Sequence, residues 1–173
     1  PAGENVKKSN VGAKLNLIPE NWGGRNYVPA VSAGTIWKST SEVAEGADDS
    51  AFDFYVVATK LITQLPRPVL VSAGVLNTKE QVTGVFGYND DSDTTFFANV
   101  DVLPTSFLAL GAEFKQGAEY SSFKNESYYD LHAAWFVNPN LTLIGAYVNA
   151  GDEKSTTKAG LGDGAVLSAQ YAF

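Results

Sequence analysis

The sequence predicts an all-β chain, an antiparallel up-and-down barrel that crosses a membrane with its strands. Three observations predict it. Apolar and polar residues alternate from one end of the 173 residues to the other, the rhythm of strands with two different environments. Short proline- and asparagine-bearing turns alternate with long acidic connections, the layout of outer-membrane barrels. The apolar series also carries its aromatics near strand ends, where a membrane barrel places two interfacial girdles.

The elements follow in order. VGAKLNLI (11–18) sets Val11, Ala13, Leu15 and Leu17 against Lys14 and Asn16. YVPAVSAGTIWKS (27–39) sets Val31, Ala33, Thr35 and Trp37 against Ser32, Gly34 and Lys38. AFDFYVVATKLI (51–62) sets Phe52, Phe54, Val56 and Ala58 against Asp53, Tyr55 and Thr59. VLVSAGVLN (69–77) follows, and then TFFANVDVL (95–103), with Phe96, Ala98, Val100 and Val102 against Asn99 and Asp101. FLALGAEFK (107–115) opposes Leu108, Leu110, Ala112 and Phe114 to Glu113 and Lys115. YYDLHAAWFV (128–137) opposes Tyr129, Leu131, Ala133, Trp135 and Val137 to Asp130, His132 and Phe136. LTLIGAYVN (141–149) is apolar on both faces, and AVLSAQYAF (165–173) closes the chain. Pattern counting gives about nine strands.

LPRP (65–68), LPTS (103–106) and NPN (138–140) are the expected tight turns. PENWGGRN (19–26) falls at the same end but is longer, with Trp22 as an interfacial anchor beside Arg25. The long polar set is STSEVAEGADDS, NTKEQVTGVFGYNDDSD, QGAEYSSFKNES and GDEKSTTKAGLGDG. No linker divides the chain, so residues 1–173 form one domain.

Composition narrows the classes. A hydrophobic share of 45% argues against disorder. Charged residues interrupt every apolar stretch before it reaches the roughly 18 residues of a spanning helix, so a membrane crossing must be made by strands. The chain has no cysteine and one histidine, which excludes disulfides and thiolate metal sites and argues against zinc. A net charge of −7 argues against nucleic acid as a partner. No cofactor motif is present, and neither a cofactor nor a metal is expected. The chain opens at Pro1 without a charged and apolar leader, so any signal peptide is expected to be removed or to lie outside it.

The last strand resembles the terminal signal of bacterial outer-membrane proteins, on Tyr171, Phe173 and the apolar residue at every second position before them. That resemblance implies recognition by the barrel-assembly machinery. A second resemblance rests on FDFYVVATKL (52–61), LALGAEFK (108–115) and YYDLHAAWFVNPNLTLIGAYVNAGD (128–152). These blocks resemble an uncharacterised porin-like family of proteobacteria, a domain of unknown function, over most of residues 27–173. Members of that family are longer at the N-terminus. Together with an odd strand count, this implies the C-terminal part of a 10–12-stranded barrel in a Gram-negative outer membrane. The C-terminus would be periplasmic and the long acidic loops extracellular. The expected partners are outer-membrane lipid and lipopolysaccharide, with a protein partner or a second copy as further options.

On this reading the lumen receives Lys14, Lys38, Asp53, Asn99 and Asp101, together with Glu113, Lys115, Asp130 and His132. The girdles take Trp22, Trp37, Phe52 and Phe54, with Tyr129, Trp135 and Tyr171. The leading function is passive diffusion of small solutes along a charge-lined lumen. The alternatives are a non-conducting barrel that anchors a partner and a soluble ligand-binding barrel, since a soluble sandwich also alternates. Asp130 and His132 share a face and form an acid–base pair in principle, but no G-x-S-x-G elbow accompanies them, and no enzyme is expected. Asp90, Asp91 and Asp93 lack the glycine and closing glutamate of an EF-hand loop, and are expected to be a solvated acidic loop. Lys60 shares the parity of Phe54 and Val56, so it either snorkels to the membrane surface or marks a bulge.

Overall fold

Each alternating segment forms a strand, and each strand finds its partner next to it in sequence. The computed structural model describes residues 7–41, 50–80, 91–121, 124–152 and 162–172. The strands are β1 (Lys7–Ile18), β2 (Ala30–Ser41), β3 (Ser50–Ile62), β4 (Val69–Lys79) and β5 (Ser92–Thr105). They continue with β6 (Leu108–Lys115), β7 (Tyr128–Asn138), β8 (Leu141–Asn149) and β9 (Asp163–Tyr171). All nine pair antiparallel in one sheet whose order is the order of the sequence. Such a meander needs only hairpin connections, which is why short turns suffice at one end.

The expected barrel is present in part. The sheet is not closed: β1 and β9 are its two edges, and no ladder joins them among the described residues. The sheet is nevertheless strongly curved. Lys115 on β6 lies within electrostatic reach of Lys38 on β2 and Asp53 on β3, although four strand spacings in a flat sheet are about 19 Å.

Register carries each face unbroken from strand to strand. One row runs Trp37–Phe52 and another Ala58–Ala73–Ala98–Phe114–Tyr129, all with outward parity. Ser72, Asn99, Glu113 and Asp130 make a matching inward row. Register shifts occur at Asn16/Ile18, Val102/Thr105 and Phe136/Asn138, all towards the short-turn end. The second one moves a predicted turn. LPTS was expected to turn at 103–106, but β5 continues to Thr105 and β6 starts at Leu108. Pro104 lacks a donor for a regular ladder and is accommodated at the bulge. NPN turns where expected, with Asn138 Oδ1 accepting the N–H groups of Asn140 (2.9 Å) and Leu141 (3.0 Å).

Burial is inverted relative to a water-soluble sheet. The largest fully buried side chains are polar: Asp53, Thr78, Glu80 and Thr95. Outward Leu15, Phe54, Val75, Leu131 and Trp135 are all exposed. A soluble sheet covers such side chains on its apolar face, and here they are left uncovered.

Candidate functional site

The inward face holds two polar clusters and a segment folded over one of them. The first cluster centres on Asp53, which has no solvent exposure. Its Oδ2 accepts the Lys38 amine at 2.5 Å and the Thr78 hydroxyl at 3.1 Å. Its Oδ1 accepts the Lys79 N–H at 3.2 Å. A buried carboxylate is tolerated only when paired and hydrogen-bonded, and these donors meet that condition.

The second cluster crosses β5, β6 and β7. His132 Nδ1 stands 2.6 Å from Asp130 Oδ1, and Nε2 stands 2.9 Å from Asp101 Oδ1. An imidazolium donates to both carboxylates, whereas a neutral ring donates to one. The Asp101 contact passes over β6 at Gly111, where an added Cβ would stand 2.5 Å from His132 Nε2 and closer still to Asp101. The space above that glycine is what lets two strands that are not neighbours bond. Beside it the Tyr128 hydroxyl donates to Glu113 at 3.0 Å, and the Lys115 amine lies 5.8 Å from the centre of the Tyr128 ring.

The β6–β7 connection covers the long-loop end of the first cluster. Ala118 and Tyr120 are buried at 1% and 5% exposure. The Tyr120 hydroxyl lies beside Thr78 and close to Asp53, Asp93 and Glu80. Burial pushes its phenol up to about 12, so it stays protonated. Asp91 and Asp93 hold this connection. Asp91 Oδ2 accepts the N–H (2.7 Å) and hydroxyl (2.6 Å) of Ser121, and Asp93 Oδ2 accepts the Glu119 N–H at 2.8 Å. The Ser121 bonds keep Asp91 below the usual carboxylate range.

At the other end, Lys60 lies on the apolar face with no register shift in β3. The bulge alternative is therefore set aside. Its amine donates to Glu20 Oε1 (2.8 Å) and Asn21 Oδ1 (2.7 Å), and the same Glu20 oxygen accepts the Leu61 N–H (2.9 Å). The Lys60 and Leu61 bonds hold Glu20 below the usual range. The PENWGGRN segment includes a 3-10 turn at Trp22–Gly24, entered through Asn21 at φ 60°, and so delivers a carboxylate to a lysine on the greasy face.

All nine residues predicted to line the lumen have inward parity by strand register. The structure brings together Lys38 with Asp53, and His132 with Asp101 and Asp130. Asn99, Glu113 and Asp130 stand in one row. Lys14 faces inward on edge strand β1, opposite Gly34 and away from both clusters. Trp37, Phe52, Phe54 and Tyr129 mark the long-loop end of the outward face. Trp22, Trp135 and Tyr171 mark the short-turn end. Phe52 and Phe54 stack at 6.5 Å between ring centres. Phe173 and Asp90 lie outside the described residues, as does much of the acidic connections.

Sequence reasoning missed Thr78, Glu80, Tyr120 and the role of Glu20, and it treated Asp91 and Asp93 as solvated. The one available signal was the dyad spacing of Ala118 and Tyr120 beyond the end of β6. Among the described residues no group of three or more histidine or carboxylate side chains is placed to hold a metal ion.

The model of a family described as proteins of unknown function (DUF3034) matches residues 2–170. No curated protein and no solved structure matches the chain.

Proposed function

The chain belongs to the DUF3034 family, and we propose that it is a porin-like outer-membrane barrel through which small solutes diffuse passively. One observation carries this reading: the exposed face is apolar and the shielded face is charged. Lipid is the solvent that makes the first favourable, and a hydrated lumen makes the second favourable. Along β7, Tyr129 and Trp135 bracket Leu131 and Ala133 with six residue steps between them, about 20 Å of strand. The whole strand has 11 residues, the length that a strand tilted by about 45° needs to cross the hydrocarbon core.

Open edges are not tolerated in lipid. Odd-numbered strands all run the same way in a meander, so an antiparallel seam between β9 and β1 takes an odd number of additional strands. We place such strands there, giving the closed 10–12-stranded barrel. The short turns and the C-terminus would face the periplasm and the long acidic connections the exterior, with the last strand read by the assembly machinery. Lipid and lipopolysaccharide would contact the outward face.

Solutes would pass along Glu113, Lys115 and Asp130, and the net charge of −7 would disfavour anions. Single-channel conductance in a planar bilayer tests this, with Lys115→Glu as the variant. Steps whose cation preference rises in the variant support an open lumen. Silence from a folded barrel that migrates heat-dependently on a gel sinks it. That result would favour a second reading, a non-conducting barrel that anchors a partner. The observation in its favour is that Lys38 and His132 already engage carboxylates within the face.

A further inference from the structure

The β6–β7 connection does not project away from the sheet. After Lys115, the Gln116 N–H donates to the Phe96 carbonyl at 2.8 Å, and Gln116 Oε1 accepts the Phe96 N–H at 3.3 Å. The chain then bends over the inward face. Ala118 and Tyr120 point in and are buried, while Glu119 and Ser121 point out. On the return, the Asn125 N–H donates to the Ala118 carbonyl at 2.8 Å and the Ser127 hydroxyl accepts the Gly117 N–H at 3.0 Å. The outward-pointing residues are the ones that Asp91 and Asp93 hold, through three short bonds to carboxylate oxygens. Bonds to an ionised acceptor are roughly twice as strong as neutral ones. The anchors stand at the start of β5, Asp91 just before it and Asp93 within it, and the anchored segment belongs to the β6–β7 connection.

We propose that residues 116–121 form an inward-folded constriction of the lumen, that the buried Tyr120 side chain seats it on the inward face, and that Asp91 and Asp93 latch it. This rests on the porin-like reading given above. Tyr120 is the large side chain of the segment and stands over the Asp53, Thr78 and Glu80 end of the inward face. Its side chain is 5% exposed, so the segment rather than the ring borders the remaining lumen. The constriction therefore sorts solutes by width.

Two measurements on the full-length folded protein test it. In planar bilayers, Tyr120→Ala is expected to raise single-channel conductance about twofold, because it removes the ring that seats the segment across the lumen. Steps of unchanged size in Tyr120→Ala would overturn the constriction while leaving the porin reading in place. The absence of steps in both proteins would overturn both. The chain has no native cysteine, so a single Ala118→Cys reports the latch by its rate of maleimide labelling without any need for conduction. Labelling is expected to be much slower than at the exposed reference Arg67→Cys, and about tenfold faster when Asp91→Ala and Asp93→Ala are added. Equal rates at both cysteines, or no acceleration without the two carboxylates, would overturn the latch. This second measurement also stands if Tyr120→Ala fails to fold.

Discussion

Strand β3 holds two neighbouring worlds. Phe52 and Phe54 are 52% and 58% exposed, and Asp53 between them is fully buried. Strands β4 to β7 repeat the contrast, because successive side chains point to opposite faces. In a water-soluble sheet the exposures would be exchanged. The difference teaches that nothing in the backbone decides which face is the interior. The shielding comes from curvature, from the Lys38–Asp53 and His132 bonds, and from the folded β6–β7 connection.

Five substitutions break or sharpen that comparison. The largest effect is expected for Lys38→Ala, which leaves the buried Asp53 charge without its cation. Breaking such a pair costs about 3–5 kcal/mol, to be read from urea unfolding in lipid vesicles. A cost within the noise of the measurement would mean that water reaches Asp53. Next is Leu131→Arg, at the middle of the outward face. In lipid it should destabilise by about 2–4 kcal/mol. On a water-exposed face the same change should fall within about 0.5 kcal/mol, so this substitution separates the two environments.

A pair of glycines compares the faces directly. Gly111→Ala drives a methyl into the Asp101–His132 contact, while a Cβ at outward Gly145 meets Leu167 Cδ2 at an ordinary 3.6 Å. The first should cost about 1–3 kcal/mol and the second much less. Equal costs would mean that the inward face gives way easily. The smallest effect is at Glu20. Lys60 lowers its folded value, so its stabilisation is fully present above the ordinary glutamate range and is lost as pH falls through the depressed value. Glu20→Gln should flatten the acid limb of stability against pH. An unchanged limb would show that the Lys60 contact does not contribute to stability.

Much of this was legible in the sequence, for a physical reason. Alternation has a period of two, so one correct phase assigns a whole strand, and Val11 to Leu17 or Phe96 to Val102 needed no tertiary information. Trp37 could be matched to the end of its strand on the same basis. Other features depend on relations between strands. The Asp101–His132 bond requires the register of β5, β6 and β7 and the gap at Gly111. Pro104 looked like a turn because its missing donor marks a break, and a bulge is also a break. Asp91 and Asp93 looked solvated because a loop carboxylate's partners, here Ser121 and Glu119, lie some thirty residues away. Only the fold brings them together.

The most direct test of the two-faced strand is spin labelling along β7, one cysteine at a time from Tyr129 to Trp135, in lipid vesicles. Each label's collisions with oxygen, which concentrates in lipid, are compared with those of a water-soluble nickel chelate. Oxygen collisions should peak at positions 129, 131, 133 and 135, and nickel collisions at 130, 132 and 134. The opposite phase, or nickel collisions equally high at every position, would contradict an outward face that meets lipid and an inward face that meets water.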